Sequence, residues 1–244
     1  MSTATSVRIA TYNIHKCRGM DRRISLERIA AVIREVGCDI VALQEVVREK
    51  GRDQLQLLAE LSGFPHHCFG ETRKHLGHGY GNAILSRFAI EKHRSYDITV
   101  ATREPRGLLR ADIRLPSGAL LHVLNVHLGT GLRERRNQAD RLLHEEVLLS
   151  KDFSAPRILL GDFNEWTRGL ATKSLSAQFR SAERIPAKRS ARIRSYPGIL
   201  PLLHLDHIYY DETLQLRAFR LHRTRTALIA SDHLPLVACF ELAQ

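Results

Sequence analysis

Leu159-Leu160-Gly161-Asp162-Phe163-Asn164 is the stretch whose reading decides the fold. An apolar run stops at a glycine and delivers a carboxylate and a carboxamide two residues apart. If the strand continues through them, side chains two apart share a face, and Asp162 and Asn164 point at one target. The alternative is a turn in which both side chains merely bond local backbone. The rest of the chain favours the shared target.

The chain has 244 residues, 43% of them hydrophobic, spread along its whole length. No repeat or Pro/Gly/Ser-rich linker divides it, so a single domain over residues 1–244 is expected. Apolar runs such as Ile40-Val41-Ala42-Leu43 are far shorter than the roughly 20 residues of a membrane-spanning helix. A basic, strand-like segment follows residues 1–6 where a secretory signal needs an apolar stretch, and a cytoplasmic protein is expected. Cys17, Cys38, Cys68 and Cys239 are scattered without a Cys-x-x-Cys, which predicts free thiols and neither a disulfide nor a zinc site. Against 26 Asp and Glu stand 37 Lys and Arg, a net charge of +11. That excess fits a polyanionic partner.

Val7 to Asn13 alternates as a strand does and ends on Asn13, with His15 just beyond. Ser25 caps a helix striped by Leu26, Ile29, Ala30 and Ile33 and stopped by Gly37. Asp39 to Glu45 is a buried strand finishing on a carboxylate. A second helix covers 53–62 and stops at Gly63; a strand at 66–70, a His/Lys/Gly-rich loop at 71–79 and a strand at 81–87 follow. Residues 106–115 and 119–127 form a hairpin about Pro116-Ser117-Gly118, and period two puts Asn125 and His127 on one face. A helix over 135–150 buries Ala139, Leu142, Leu143 and Val147. After Trp166 the periodicity weakens. Residues 180–194 carry Arg180, Arg184, Lys188, Arg189, Arg192 and Arg194 against one acid, Glu183, and read as a mobile basic loop. Strands over 205–210, 214–221 and 234–242 complete the chain, and Ser231-Asp232-His233 precedes the last.

Asn13, Glu45, His127 and the Asp162/Asn164 pair thus lie at carboxyl ends of strands. Asp232 and His233 lie at an amino end, which meets the same rim if that strand runs antiparallel. Strands in this number, with three or four helices, suit two mixed sheets packed face to face with helices outside, an α/β sandwich. Glu45, Asp162 and Asp232 with Asn13 and Asn164 are hard oxygen donors suited to Mg²⁺ or Mn²⁺. Such an ion neutralises charge on a phosphoryl oxygen. His127 and His233 can handle protons near neutral pH.

Seven short motifs occur in the order found in the endonuclease/exonuclease/phosphatase (DNase I-like) superfamily. They are Thr11-Tyr-Asn-Ile14, Leu43-Gln-Glu45, Gly81-Asn-Ala-Ile-Leu-Ser-Arg87, Asn125-Val-His-Leu128, Gly161-Asp-Phe-Asn164, Leu205-Asp206 and Ser231-Asp-His-Leu-Pro235. The chain resembles that superfamily from about Val7 to Leu242. It is most similar to a small bacterial branch without an assigned substrate, through Gly131-Leu-Arg133, Gly161-Asp-Phe-Asn-Glu-Trp166 and Pro201-Leu-Leu-His-Leu-Asp206.

The resemblance implies a four-layer α/β sandwich and divalent-metal-dependent phosphoester hydrolysis. By the same resemblance Glu45 is the principal metal ligand, helped by Asn13 and Asp232. Asp162 positions or deprotonates the attacking water, and Asn164 holds the scissile phosphate. His233 orients or polarises that phosphate, or acts as base, with Asp206 fixing its tautomer. His127 stands at a position that is His in DNase I and sphingomyelinases and Tyr in abasic-site endonucleases. His15 replaces an acid of the abasic-site enzymes, which makes it a loop residue or a peripheral ligand.

Charge and size shape the substrate expectation. Arg106, Arg133 and Arg135 near the rim, with Arg189, Arg192 and Arg194 in the basic loop, can follow a phosphate backbone without reading bases. In a chain with little room for large insertions, a flexible single strand is easier to thread than a duplex that must be bent. The expectation is a monomeric nuclease of little sequence preference, acting on DNA and favouring single-stranded or distorted regions, without stable membrane association. One alternative is a phosphodiesterase or phosphatase on phospholipid headgroups or small phosphate esters. Another is a catalytically silent protein that binds a polyanion.

Overall fold

The computed structural model describes residues 6–49, 53–143, 156–165, 169–184 and 193–242. β1 (Ser6–Asn13) and β2 (Ile40–Arg48) are parallel neighbours joined through α1 (Leu26–Val36), since a parallel pair needs a crossover of helix length. Ser25 accepts the Arg28 N–H at the start of α1, and Gly37 ends the helix at φ 62°, a left-handed conformation that costs glycine little. α2 (Gln54–Ser62) is capped by Asp53 and stopped in the same way by Gly63.

The segment expected as a loop over 71–79 is instead the tip of a hairpin. β3 (His66–His75) and β4 (His78–Ser86) are joined by Leu76 and Gly77 alone, both at positive φ, the requirement of a type I′ turn. β3 forms the edge of its sheet, so its polar residues need no buried face and leave no alternating pattern. β5 (Ile90–Asp97), almost wholly exposed and also an edge strand, escaped the sequence reading for the same reason.

β6 (Gly107–Arg114) and β7 (Leu120–His127) form the expected hairpin. α3 (Leu132–Leu142) begins three residues before the expected start; residues 144–150, with Val147, lie outside the described residues. β8 (Arg157–Asp162), α4 (Leu170–Leu175), the two-residue β9 (Arg180–Ser181), β10 (Asp206–Tyr210), β11 (Leu214–Leu221), α5 (Arg225–Ala230) and β12 (Leu236–Leu242) follow.

The described residues form two six-stranded mixed sheets, in the orders β11-β12-β1-β2-β4-β3 and β5-β6-β7-β8-β10-β9. One apolar layer fills the space between them and includes Ile9, Ile40, Ala42, Leu109, Val123, Ile158, Leu160 and Phe240. A second lies between the first sheet and α1, α2 and α5, and a third between the second sheet and α3 and α4. The architecture is a four-layer α/β sandwich. Its layering explains the decisive stretch: Leu160 packs between the sheets while Leu159 packs under the outer helices. A strand buried on both faces reads as a continuous apolar run. Among the described residues no helix is long and apolar enough to cross a membrane.

Candidate active site

Strand ends of both sheets converge on one rim. Asn13 closes β1, His127 closes β7 and Asp162 closes β8. Asp206 opens β10, which is antiparallel to β8, and Asp232 and His233 precede β12, which is antiparallel to β1 as its place at the rim requires. Glu45 arrives by another route. β2 does not end at Glu45 but continues to Arg48, and its pairing with β4 shifts between Leu43 and Val46. Glu45 sits at φ 58° in this bulge, which turns its carboxylate into the cleft. Asn125 completes the device from the facing sheet, donating to Leu43 O at 2.8 Å and Ala83 O at 2.9 Å. Carbonyls beside the bulge are thereby kept satisfied.

Asp162 is the hub. Its Oδ2 accepts Asn13 Nδ2 at 3.0 Å and lies 3.5 Å from His127 Nε2 and 3.6 Å from His233 Nε2. Its Oδ1 accepts the Asn164 backbone N–H at 2.9 Å. This corrects the shared-face expectation: β8 stops at Asp162, and Asn164 turns at φ 50° while its side chain donates to Leu128 O at 2.9 Å. Gly161 permits the close approach beneath, since a Cβ there would stand 1.9 Å from Val126 O. The turn still delivers Asp162 and Asn164 to one cleft.

His233 Nδ1 pairs with Asp206 Oδ2 at 2.8 Å, and Ser195 Oγ donates to the same oxygen at 2.6 Å. Burial opposes charge on His233, but the carboxylates of Asp206 and Asp162 outweigh it and push its pKa up to about 10. His127 moves the other way. Burial, reinforced by the Arg106 guanidinium 3.1 Å from Nδ1, brings it down to about 4. One histidine is therefore charged and the other neutral at pH 7, a separation set by environment.

Glu45 Oε2 carries Lys16 Nζ at 2.5 Å. Burial raises the Glu45 pKa, yet His127 and Lys16 bring it down to about 2. An ionised carboxylate with Asp232 on the same cleft fits a hard divalent ion, while Asn13 turns its Nδ2 towards Glu45 Oε1 at 3.4 Å and its oxygen accepts the His15 N–H at 3.0 Å. Asp162, Asp206 and His233 also gather closely enough to hold an ion. Both ring nitrogens of His233, however, already face carboxylates, which suits a proton relay better. His15 Nδ1 lies 3.5 Å from Asp232 Oδ1, at the margin of the site.

An open cleft of about 390 Å³ is lined by Glu45, His127, Asp162, Asn164, Asp232, His233 and Arg106 among the expected residues. Asn13 and Asp206 are buried behind it. Lys16, Arg73, Tyr80, Glu104, Thr130 and Tyr196 also line it and were missed by sequence reasoning. Arg73 lies over the Tyr80 ring at 4.0 Å and pairs with Glu104 at 2.8 Å. The basic composition of the supposed 71–79 loop was its only trace in the sequence.

The remaining arginines divide. Arg135 is buried and donates to Thr130 O at 2.5 Å; it braces the loop before α3 and does not line the cleft. Arg133 is exposed on α3 and also stands off the cleft. Arg194 is half-buried beside Ser195, whereas Arg189 and Arg192 lie outside the described residues.

A DNase I-like sandwich with a rim of acids and histidines belongs to a class of hydrolytic phosphoesterases. The model of the endonuclease/exonuclease/phosphatase family matches residues 10–233, and the chain belongs to that family, whose members are generally divalent-metal dependent. The uncharacterized protein YbhP of Escherichia coli (strain K12) is 32% identical over 246 residues, covering 96% of this chain and 95% of its own. Among solved structures, the endonuclease/exonuclease/phosphatase of Beutenbergia cavernae superposes with a TM-score of 0.79 at 23% identity, covering 98% of this chain and 72% of that one. The mannosyl-6-phosphatase of Bacteroides thetaiotaomicron has a TM-score of 0.75 at 18% identity over 96% of this chain and 99% of that one.

Proposed function

We propose that the chain is a Mg²⁺- or Mn²⁺-dependent phosphodiesterase acting on nucleic acid, a nuclease of little sequence preference that favours single-stranded or distorted DNA. The observation that carries this reading is one open cleft in which the Asp162–His233–Asp206 relay meets three cationic side chains, Lys16, Arg73 and Arg106. Lys16 and Arg106 stand beside Glu45 and His127, and Arg73 and Arg106 share Glu104; cations so placed attract phosphates without regard to base.

In this reading Asp162, held by Asn13 and its own turn, orients the attacking water. His233, charged through neutral pH, donates to a phosphoryl oxygen or the departing one. Asp206, itself bonded by Ser195, holds the charged ring in that orientation, and Asn164 positions the phosphate. Neutral His127 and Arg106 form the opposite wall. A divalent ion held by Glu45 with Asn13 and Asp232 would neutralise charge developing on the phosphoryl group.

The modest size of the cleft favours a second reading, hydrolysis of a small phosphate ester; a sugar phosphatase is among the proteins of the same fold. Turnover on single-stranded DNA, duplex DNA, RNA, phospholipids and sugar or inositol phosphates, each with Mg²⁺ and Mn²⁺, separates the two. Preferential cleavage of single-stranded DNA supports the first. Activity confined to a small ester or a lipid headgroup replaces it.

A further inference from the structure

Behind the relay, away from the cleft, three side chains converge that the proposed reaction does not use. Glu183 lies in the single helical turn after β9, and His204 and His207 flank Asp206 at the start of β10. Glu183 Oε1 is 2.7 Å from His207 Nδ1 and 3.4 Å from His204 Nε2. All three ligand atoms lie within 4.8 Å of one another, and the two imidazole rings are 4.5 Å apart between centroids.

His207 Nε2 is 3.0 Å from the Glu165 carbonyl oxygen, which only an N–H can satisfy, so Nε2 carries the hydrogen. Nδ1 faces the Glu183 carboxylate oxygen; burial opposes charge on the ring, but Glu183 pushes its pKa up to about 9, which favours a proton on Nδ1 when no metal is bound. A proton placed between these two atoms satisfies that pair alone. His204 Nε2, buried and aimed at the same oxygen, finds no hydrogen-bond partner among the described residues. A single cation bonded to all three atoms satisfies every one of them.

We infer that Glu183, His204 and His207 form a second cation site, separate from the Glu45 centre and suited to a transition metal of the zinc class. Two imidazoles and one carboxylate are the ligand chemistry of such ions and a poor match to Mg²⁺. Metal–ligand bonds near 2.1 Å at tetrahedral angles put ligand atoms about 3.4 Å apart. The His204–Glu183 separation meets that value, and the His207–Glu183 pair, at 2.7 Å, needs to open by about 0.7 Å. The carbonyl of Glu165 on His207 Nε2 is the outer partner that fixes a ligating histidine's tautomer and orientation. The Glu183 and His204 side chains are 23% and 18% exposed, which leaves the ion a route in. Bound there, it would clamp the turn after β9 to β10 and, through Glu165, to the loop that carries Asp162 and Asn164.

The test uses the full chain stripped with chelator, then dialysed against Zn²⁺ or Co²⁺ in excess Mg²⁺, with bound metal counted by mass spectrometry. Wild type should retain one equivalent, give a Co²⁺ visible absorption band of low-symmetry coordination, and gain thermal stability on loading. Glu45→Gln should keep all three properties. His204→Ala and Glu183→Gln should lose them, with circular dichroism confirming the fold and His204→Gln replacing the alanine variant if that does not fold. No retained equivalent in wild type, or an equivalent that survives loss of His204 and Glu183, overturns the site and leaves an ordinary ion pair. Neither result bears on the phosphodiesterase reading, which turnover tests separately.

Discussion

His233 bridges two carboxylates: Nδ1 is 2.8 Å from Asp206 Oδ2, which is fully buried, while Nε2 faces Asp162 at the floor of the cleft. The buried carboxylate fixes the ring and the cleft carboxylate shares its charge. His233→Ala and Asp162→Asn should each lower kcat by about 10²–10⁴, the usual contribution of a positioned proton-transfer group. Asp206→Asn should lower kcat with KM little changed, since it acts through the ring. Steady-state kinetics beside circular dichroism of the variants checks all three; near wild-type turnover in either of the first two would mean the centre is wrongly assigned.

Lys16 occupies Glu45 Oε2, where a divalent ion has to compete with it. Both side chains are partly exposed, so the pair is worth about 1 kcal/mol or less, up to about fivefold in an affinity. Lys16→Met should therefore lower, by up to that factor, the Mg²⁺ concentration giving half-maximal rate. A metal titration in which the variant needs more Mg²⁺ than wild type would show that Lys16 assists the ion instead of opposing it.

The sandwich was legible because its inner strands are buried on both faces. Runs such as Ile40 to Leu43 and Ile158 to Leu160 have no polar face to confuse them, and each ends on a rim residue. Ser25, Gly37 and Gly63 marked helix ends through capping chemistry that is local in sequence. The edge strand β11 was legible, but β5 and the outer half of β3 were not. β5, and β3 beyond Gly70, largely face solvent, so nothing in their composition separates them from a loop. Glu45 looked like the end of a strand because a bulge leaves no mark in residue types. Arg135 looked like a rim cation because charge does not reveal direction; the fold turns it inward onto Thr130. Lys16 follows three residues after Asn13, but its pairing with Glu45 depends on His15, Lys16 and Cys17 all adopting positive φ, a strained path that a sequence does not announce.

Arg189, Arg192 and Arg194 supply the test of nucleic-acid tracking. Replacing all three by Gln should raise KM on single-stranded DNA and reduce the slope of log affinity against log salt by about 0.7 for each phosphate no longer neutralised. Turnover at saturation should hold, since these charges bind ground and transition states alike. An unaltered salt slope would reduce the segment to solvated surface.

Burial pushes the thiols of Cys17, Cys38 and Cys68 up to about 12. Thiolate is the reactive form, so these three should resist alkylation of the native protein at pH 8, leaving Cys239, which is half-buried, as the first to label. Intact-mass measurement before and after denaturation reads the difference. Rapid modification of all four in the native state would show that the layers open readily.

The most direct measurement of the central claim is the rate of single-stranded DNA cleavage by wild type and by Asp162→Asn, with Mg²⁺ and with EDTA. The account predicts cleavage by wild type with Mg²⁺, its loss in EDTA with recovery on adding Mg²⁺ or Mn²⁺, and a drop of at least a hundredfold in the variant. Cleavage that persists undiminished in chelator or in Asp162→Asn would contradict it.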